Sequence, residues 1–158
     1  METLQLYDIV TNSPEETIAF GAKLAAHFVP PTVVLLEGDL GSGKTTLTKG
    51  IAVGLGAARE DEVTSPTFTL VHEYSRHSSR DVRAETNRLF HVDLYRIEDP
   101  REIRSLGLDE IFNSRSTVLI EWGERLQEQP SAPFFKVHFE YLDDTRRRIQ
   151  VMEFLDEG

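Results

Sequence analysis

The chain has 158 residues and no cysteine, which predicts a single domain and excludes disulfides, thiolate metal sites and cysteine nucleophiles. Its net charge of −10 argues against broad electrostatic binding to nucleic acid, which requires a basic face. The sequence has no apolar run near the ~18 residues of a membrane span, and its N-terminus lacks the pattern of a signal peptide. We therefore expect a cytoplasmic protein that does not contact a membrane.

The first third of the chain predicts a strand, a helix and a second strand. Residues 4–10 alternate weakly between apolar and polar side chains, which is typical of a strand. A helix should begin after Ser13, which can cap it, because Pro14 suits the first helical position and Glu16 completes a capping box. The apolar run at 33–36 predicts a buried strand.

The segment after that strand fits the phosphate-loop pattern G-x-x-x-x-G-K-[ST] at every fixed position. Glycines let the backbone N–H groups turn toward phosphate oxygens, and the start of the next helix adds partial positive charge. Lys44 is expected to reach the β- and γ-phosphates, and the Thr45 hydroxyl to bind Mg²⁺. This helix should end near 54–56. The predicted nucleotide-binding residues are Asp39, Leu40, Gly41, Ser42, Gly43, Lys44, Thr45 and Thr46.

The middle of the chain contains a loop stiffened by Pro66, followed by an alternating run at 67–74 that predicts a strand. Thr67 either presents its hydroxyl to the phosphates, as in a nucleotide switch, or belongs to an ordinary turn. The polar, arginine-rich segment at 75–88 is typical of a solvated connection or mobile loop. Residues 89–95 predict the next strand.

The last third predicts a short helix over 99–106, a fully buried strand at 117–121, an alternating strand at 135–141 and an antiparallel return at 148–154. The phosphate loop requires a parallel core, whereas the run from 67 to 95 and the C-terminal hairpin indicate antiparallel pairs. We therefore predict a single-domain α/β sandwich of the P-loop NTPase class over residues 1–158, with a mixed parallel and antiparallel central sheet.

Two acids lie at the ends of apolar strands, where ligands of α/β sheets bind. Glu121 follows Val118-Leu119-Ile120 in the form of a Walker B element, and Asp93 follows Leu89-Phe90-His91-Val92. Either can hold Mg²⁺ directly or through water, or can simply cap a neighbouring loop. Burial of a carboxylate is costly without a cation or donors, which favours the metal interpretation.

Several neighbouring residues leave two interpretations open. A strand histidine such as His72 or His91 is more often structural than a base. Trp122 either packs over the metal site or belongs to the core, and the core is favoured. The basic run at 146–148 is either a charged hairpin end or a docking patch for an acidic partner.

Four elements together resemble the bacterial TsaE family, also called YjeE. They are Gly38-Asp39-Leu40-Gly41-Ser42-Gly43-Lys44-Thr45-Thr46, Ser65-Pro66-Thr67-Phe68-Thr69-Leu70-Val71, His91-Val92-Asp93-Leu94-Tyr95-Arg96 and Glu121-Trp122. The resemblance implies a P-loop ATPase needed for N6-threonylcarbamoyladenosine (t6A) at position 37 of tRNA. It implies ATP and Mg²⁺ as cofactors and docking on a complex of TsaB and TsaD, so that tRNA is reached only through these partners.

The same resemblance implies roles for individual positions. The catalytic set is Lys44, Thr67, Asp93 and Glu121, with Thr45, Glu121 and Asp93 around the metal. Lys44 and the loop amides hold the phosphates, and Thr67 belongs to a switch-like segment. The nucleotide base is expected near Ser13. The connection at 75–88 departs from the family pattern because it is longer and richer in arginine.

Two other functions fit a phosphate loop. A small-molecule or nucleoside kinase would need a lid and an acceptor pocket, and 75–88 is the only lid candidate in the sequence. A non-catalytic, nucleotide-gated binding module would bind ATP without hydrolysing it.

Overall fold

The computed structural model describes residues 2–39, 43–64, 71–75, 88–99, 101–112, 114–126, 130 and 133–156. The described strands are β1 (Glu2–Thr11), β2 (Thr32–Glu37), β3 (Val71–Tyr74), β4 (Leu89–Asp93), β5 (Thr117–Glu121), β6 (Phe134–Tyr141) and β7 (Arg147–Leu155). The described α-helices are α1 (Pro14–Leu24), α2 (Lys44–Leu55), α3 (Arg101–Arg104) and α4 (Leu108–Phe112).

The strands form one seven-stranded sheet in the order β1-β7-β6-β2-β5-β4-β3. Its centre is parallel, because β2 pairs with both β5 and β6 and β4 pairs with β5 in the same direction. Both sides are antiparallel, through β3 on β4 and through β7 between β6 and β1. The predicted α/β fold with a mixed sheet is confirmed.

Side chains that alternate along the strands divide the core between the two faces of this sheet. On one face, which we call the α1/α2 face, Leu24 and Leu47 pack with Leu36 and Leu119. On the opposite face, Val118 and Ile120 pack with Leu108 of α4. Full burial of each such side chain contributes about 1.5–3 kcal/mol. Among the described residues, no helix has the length and apolar character of a membrane span.

Helices α1 and α2 touch through their backbones. A Cβ atom added at Gly50 would lie 2.1 Å from the carbonyl oxygen of Ile18, and one added at Gly21 would lie 2.6 Å from that of Leu47. Only glycine allows this approach. Because α2 begins at Lys44, the contact also fixes the position of the start of that helix.

The start of α1 and the end of α2 confirm the predictions from the sequence. Ser13 Oγ accepts the N–H of Glu16 at 3.1 Å, and Glu16 Oε2 accepts the N–H of Asn12 at 2.6 Å. The reciprocal bond of the capping box therefore reaches Asn12 rather than Ser13. Helix α2 ends at Leu55, where Gly56 takes the left-handed conformation with φ 71°.

Two predicted elements have different extents. The helix expected over 99–106 covers only Arg101–Arg104, and α4 follows as a separate helix because Gly107 has φ 70° between them. The strand expected over 89–95 ends at Asp93, whose Oδ1 accepts the N–H of Tyr95 at 2.9 Å and turns the chain. Residues 65–70 and 76–87, which include Thr67 and most of the 75–88 segment, lie outside the described residues.

Candidate functional site

The flanks of the phosphate loop have the predicted strand–loop–helix geometry. Gly38 and Gly43 have φ of 145° and 110°, values that suit glycine alone. Lys44 is only 5% exposed, and its Nζ donates to the carbonyl oxygen of Gly38 at 2.6 Å. The lysine thus links the last turn of the loop to its first residue. Leu40, Gly41 and Ser42 lie outside the described residues.

The other predicted phosphate-loop positions lie around this lysine. Asp39 is exposed, while Thr45 and Thr46 are half-buried in the first turn of α2. The first N–H groups of a helix lack partners inside it and carry partial positive charge. The start of α2 can therefore bind an anion.

Asp93 and Glu121 are direct neighbours across the parallel pair of β4 and β5. Each is the last residue of its strand, and alternation along the strands puts both on the α1/α2 face, like Leu89 and Leu119. The structure brings together the two acids that the sequence singled out, 28 positions apart in the chain.

Burial raises the pKa of the Asp93 carboxyl above its ordinary value. The hydrogen bond from the Tyr95 N–H opposes this rise, the negative charge of Glu121 adds to it, and the positive charge of Lys44 opposes it. Glu121 and Lys44 are therefore both close enough to Asp93 to influence its carboxyl electrostatically.

Glu121 is 4% exposed and accepts a hydrogen bond from His91, with 2.7 Å between Oε2 and Nε2. His91 itself is fully buried. His91 was expected to be structural. Its buried ring does have a structural contact, because it bonds the Glu121 carboxylate from within the sheet. His72 on β3 bonds Tyr74 through Nδ1 at 3.1 Å.

Trp122 takes part in both the site and the core. Its backbone is left-handed, with φ 63° and ψ 42°, which is uncommon for a bulky residue. Lys44 Nζ lies 4.1 Å from the centre of its ring, within the range of a cation–π interaction. The ring also packs against Tyr95 and the core of the opposite face. The favoured core position is therefore only part of its role.

The residues present fit a Mg²⁺–nucleotide group. Carboxylate and hydroxyl oxygens, here from Asp93, Glu121 and Thr45, are the ligands that Mg²⁺ prefers. Among the described residues no cluster of three or more acidic, histidine or cysteine side chains forms a metal cage. Proteins bind Mg²⁺ through one or two carboxylates together with the phosphates of the substrate. The raised pKa of Asp93 indicates a carboxylate that a cation would stabilise.

A cleft lies between the start of α1 and the hairpin that joins β6 to β7. Gly43 and Thr46, at the end of the phosphate loop and the start of α2, also line it. Arg147 reaches it with its guanidinium 4.6 Å from the Tyr141 ring and bonded to the Arg146 and Asp143 carbonyl oxygens. The side chains and backbone that line the cleft belong to Ser13, Pro14, Thr17, Gly43, Thr46, Asp144, Thr145 and Arg147.

Only three of these eight residues, Ser13, Gly43 and Thr46, were predicted from the sequence as part of a site. The basic run at 146–148, predicted to be a charged hairpin end or a docking patch, contains arginines with different contacts. Arg146 pairs with Asp143 and Arg148 pairs with Asp8, as expected of a hairpin end, whereas Arg147 faces the cleft.

Comparisons with known proteins show which family this chain is similar to. The family model described as threonylcarbamoyl adenosine biosynthesis protein TsaE matches residues 11–149. The tRNA threonylcarbamoyladenosine biosynthesis protein TsaE of Bacillus subtilis is 42% identical over 139 residues, which cover 88% of this chain and 80% of the relative. That of Haemophilus influenzae is 38% identical over 153 residues, covering 92% and 87%.

The crystal structure of Bacillus subtilis YdiB superimposes with a TM-score of 0.73 at 35% identity, covering 97% of this chain and 88% of that one. The matched family model spans most of the chain, including the described ends of the phosphate loop and both strand-end acids. The chain therefore belongs to the TsaE family of threonylcarbamoyl adenosine biosynthesis proteins.

Proposed function

We propose that this protein is a Mg²⁺-dependent ATPase that acts in the synthesis of t6A at position 37 of tRNA. One observation carries the ATPase part of the proposal: Asp93 and Glu121 end neighbouring parallel strands in register, and the lysine of a phosphate loop acts electrostatically on Asp93. A phosphate loop alone binds a nucleotide, whereas hydrolysis also needs acids that hold the metal and position water. Membership of the TsaE family supports the pathway.

Each residue of the site has a proposed task. Lys44 and the amides of 39–46 bind the phosphates, with the start of α2 contributing its partial positive charge. Thr45 and Glu121 hold Mg²⁺, and Asp93 supports the metal or its water from the adjacent strand. The bound metal would neutralise charge that develops on the phosphate oxygens. Thr67 is proposed to complete the catalytic set as part of a switch segment.

The cleft beside Ser13 is the proposed site of the nucleoside. It opens next to Gly43 and Thr46, so a nucleotide whose phosphates lie at the start of α2 can extend its sugar and base toward α1. Backbone and hydroxyl groups along the cleft, together with Arg147, provide donors and acceptors for such a ligand.

The proposed partners are TsaB and TsaD, on whose complex ATP hydrolysis would take place. The net charge of −10 supports indirect action on tRNA, because a protein that meets tRNA through partners needs no basic face of its own.

Deletion of the gene followed by measurement of t6A in bulk tRNA tests the pathway. We expect t6A to fall sharply and to return with the wild-type gene, but not with Lys44→Ala or Glu121→Ala. Lys49→Ala in the same helix as Lys44 and Glu110→Ala, at an exposed position of α4, are matched controls that should restore it. Normal t6A in the deletion strain would refute the proposed pathway.

Hydrolysis is tested with the purified protein alone and with TsaB and TsaD added. Glu121→Ala should lower Mg²⁺-dependent turnover by about a hundredfold or more, since a catalytic metal contributes several kcal/mol to transition-state stabilisation. Unchanged turnover in this variant would contradict the metal assignment. Absence of hydrolysis under every condition would instead support a nucleotide-gated binding module, and stoichiometric phosphoryl transfer to an acceptor would support a kinase.

A further inference from the structure

We propose that His91 is a positioning residue that orients Glu121 for the metal. Its Nε2–H donates to Glu121 Oε2, which would leave the other carboxylate oxygen available for Mg²⁺. The inference rests on the proposed Mg²⁺–ATP site and assigns a task to a residue outside the direct metal and phosphate contacts.

The register of the sheet makes this contact diagonal. His91 on β4 is paired with Leu119 on β5, and Glu121 lies two residues further along the same face. A diagonal neighbour on one face is within reach of a long side chain such as glutamate. The distance of 2.7 Å between Nε2 and Oε2 is short for such a bond, as expected for a charged acceptor.

Burial protects the hydrogen bond between His91 and Glu121 from competition by water. His91 is fully buried, and its neighbours on this face, Leu89 and Leu119, are also 0% exposed. Water therefore cannot replace the histidine as donor without opening the core. A buried carboxylate that lost this donor would have to rotate toward another partner or toward solvent.

The second ring nitrogen identifies the tautomer. Nδ1 is buried and has no hydrogen-bond partner among the described residues. With the proton on Nε2, the ring donates to Glu121 and leaves only a lone pair unused at Nδ1. With the proton on Nδ1, an N–H would be buried without an acceptor and two lone pairs would face each other across 2.7 Å. Of the two neutral tautomers, the geometry therefore selects the one with the proton on Nε2.

The position of His91 also links the two acids. His91 and Asp93 belong to the same strand, and Asp93 Oδ1 is held by the N–H of Tyr95. His91 on β4 fixes the Glu121 carboxylate on β5, and the Tyr95 N–H fixes that of Asp93. The two bonds together restrain the distance between these carboxylates. Groups that orient metal ligands in this way change metal affinity by about 10- to 100-fold when they are replaced.

The experiment measures the affinity for the fluorescent analogue mant-ATP twice, once with Mn²⁺ and once in EDTA. The ratio of these two affinities is the gain in affinity due to the metal, which we call the metal gain. We expect His91→Leu to lower this gain about tenfold or more and to leave the affinity in EDTA unchanged. His91→Gln, whose amide can donate at similar reach, should keep the gain within about threefold of wild type.

His27→Leu is the matched control, because His27 Nε2 also makes one side-chain hydrogen bond, to Tyr7 at 2.9 Å, but follows α1 outside the site. It should retain the full gain. Circular dichroism and thermal unfolding establish which variants fold. If His91→Leu does not fold, His91→Gln and the ring nitrogens of the wild-type protein, observed by ¹⁵N NMR, decide the question.

Three results would overturn the inference. They are a full metal gain in folded His91→Leu, a loss in His91→Gln as large as in His91→Leu, and a proton found on Nδ1 of the wild-type ring. Glu121→Ala separates this failure from failure of the proposed function. If Glu121→Ala keeps the metal gain, the metal site itself is wrong; if it loses the gain and His91→Leu does not, only the positioning role is wrong.

Discussion

Gly50→Ala tests how closely the position of the phosphate-binding helix depends on its contact with α1. The added Cβ would lie 2.1 Å from the Ile18 carbonyl oxygen, 2.8 Å from its carbonyl carbon and 3.0 Å from the Gly21 Cα. All three are backbone atoms, so no side chain can rotate away. To restore a tolerable 3.0 Å contact, the helices must separate locally by the difference from 2.1 Å, about 0.9 Å.

The expected cost follows from two opposing effects. Overpacking costs typically 1–3 kcal/mol, and a clash with rigid backbone belongs at the upper end, about 3 kcal/mol. Alanine gains about 1 kcal/mol over glycine in a helix interior. The free energy of unfolding should therefore fall by about 2 kcal/mol, which lowers Tm by about 4–8 °C in a chain of this size. A displacement near 1 Å at Lys44 can also lower turnover by up to about a hundredfold.

Thermal unfolding followed by circular dichroism measures the first effect, and ATP turnover the second. Gly107→Ala is the control, because a Cβ there meets nothing within 4 Å and the change introduces only the strain of φ 70°. It should lower stability by about 1–2 kcal/mol without changing turnover per folded molecule. A Tm for Gly50→Ala equal to or above that of wild type would refute the described approach of the two helices.

Three further predictions concern the loop, the first helix and the last hairpin. Lys44→Met should weaken mant-ATP binding about tenfold or more and shift the emission of Trp122, the chain's single tryptophan; unchanged affinity would count against the lysine's role. Ser13→Ala should destabilise by about 1 kcal/mol through loss of the α1 cap, measured by urea unfolding; an unchanged midpoint would contradict the cap. Hydrogen bonds, first from the Arg146 side chain, hold the pKa of the Asp143 carboxyl well below its ordinary value of 3.8, so its stabilisation is present above that pH and lost as pH falls through the folded value. The stability difference between wild type and Asp143→Asn should thus shrink on acidification from neutral pH, and a constant difference would refute this.

Much of the site was predictable because its chemistry is local in sequence. The glycines and Lys44 form one continuous pattern, and an apolar run ending in an acid marks a strand end wherever it occurs. Asp93 and Glu121 could each be recognised in this way. Their direct pairing could not, because the register between β4 and β5 depends on strand order and on packing of the whole sheet.

The contacts that were not predicted join distant segments or oppose local preference. The bond between His91 and Glu121 spans 30 positions. Arg147 reaches the cleft only because β7 returns beside β6 and places it near Gly43. Trp122 adopts a left-handed backbone that its bulk disfavours, so no propensity could indicate it. Thr67 lies outside the described residues and stays a prediction.

The end of β5 supplies one of the two contacts that the structure shows for the Lys44 ammonium group in the described part of the chain. Trp122 directly follows the last residue of β5, has a left-handed backbone, and holds the centre of its ring 4.1 Å from Lys44 Nζ. Among the described residues, the lysine's contacts are this ring and the Gly38 carbonyl oxygen, not a carboxylate. Both are weaker partners for an ammonium than phosphate is. Since His91 holds Glu121 Oε2 within the sheet, the proposed function would leave Lys44 available for the phosphates and the other oxygen of Glu121 available for the metal.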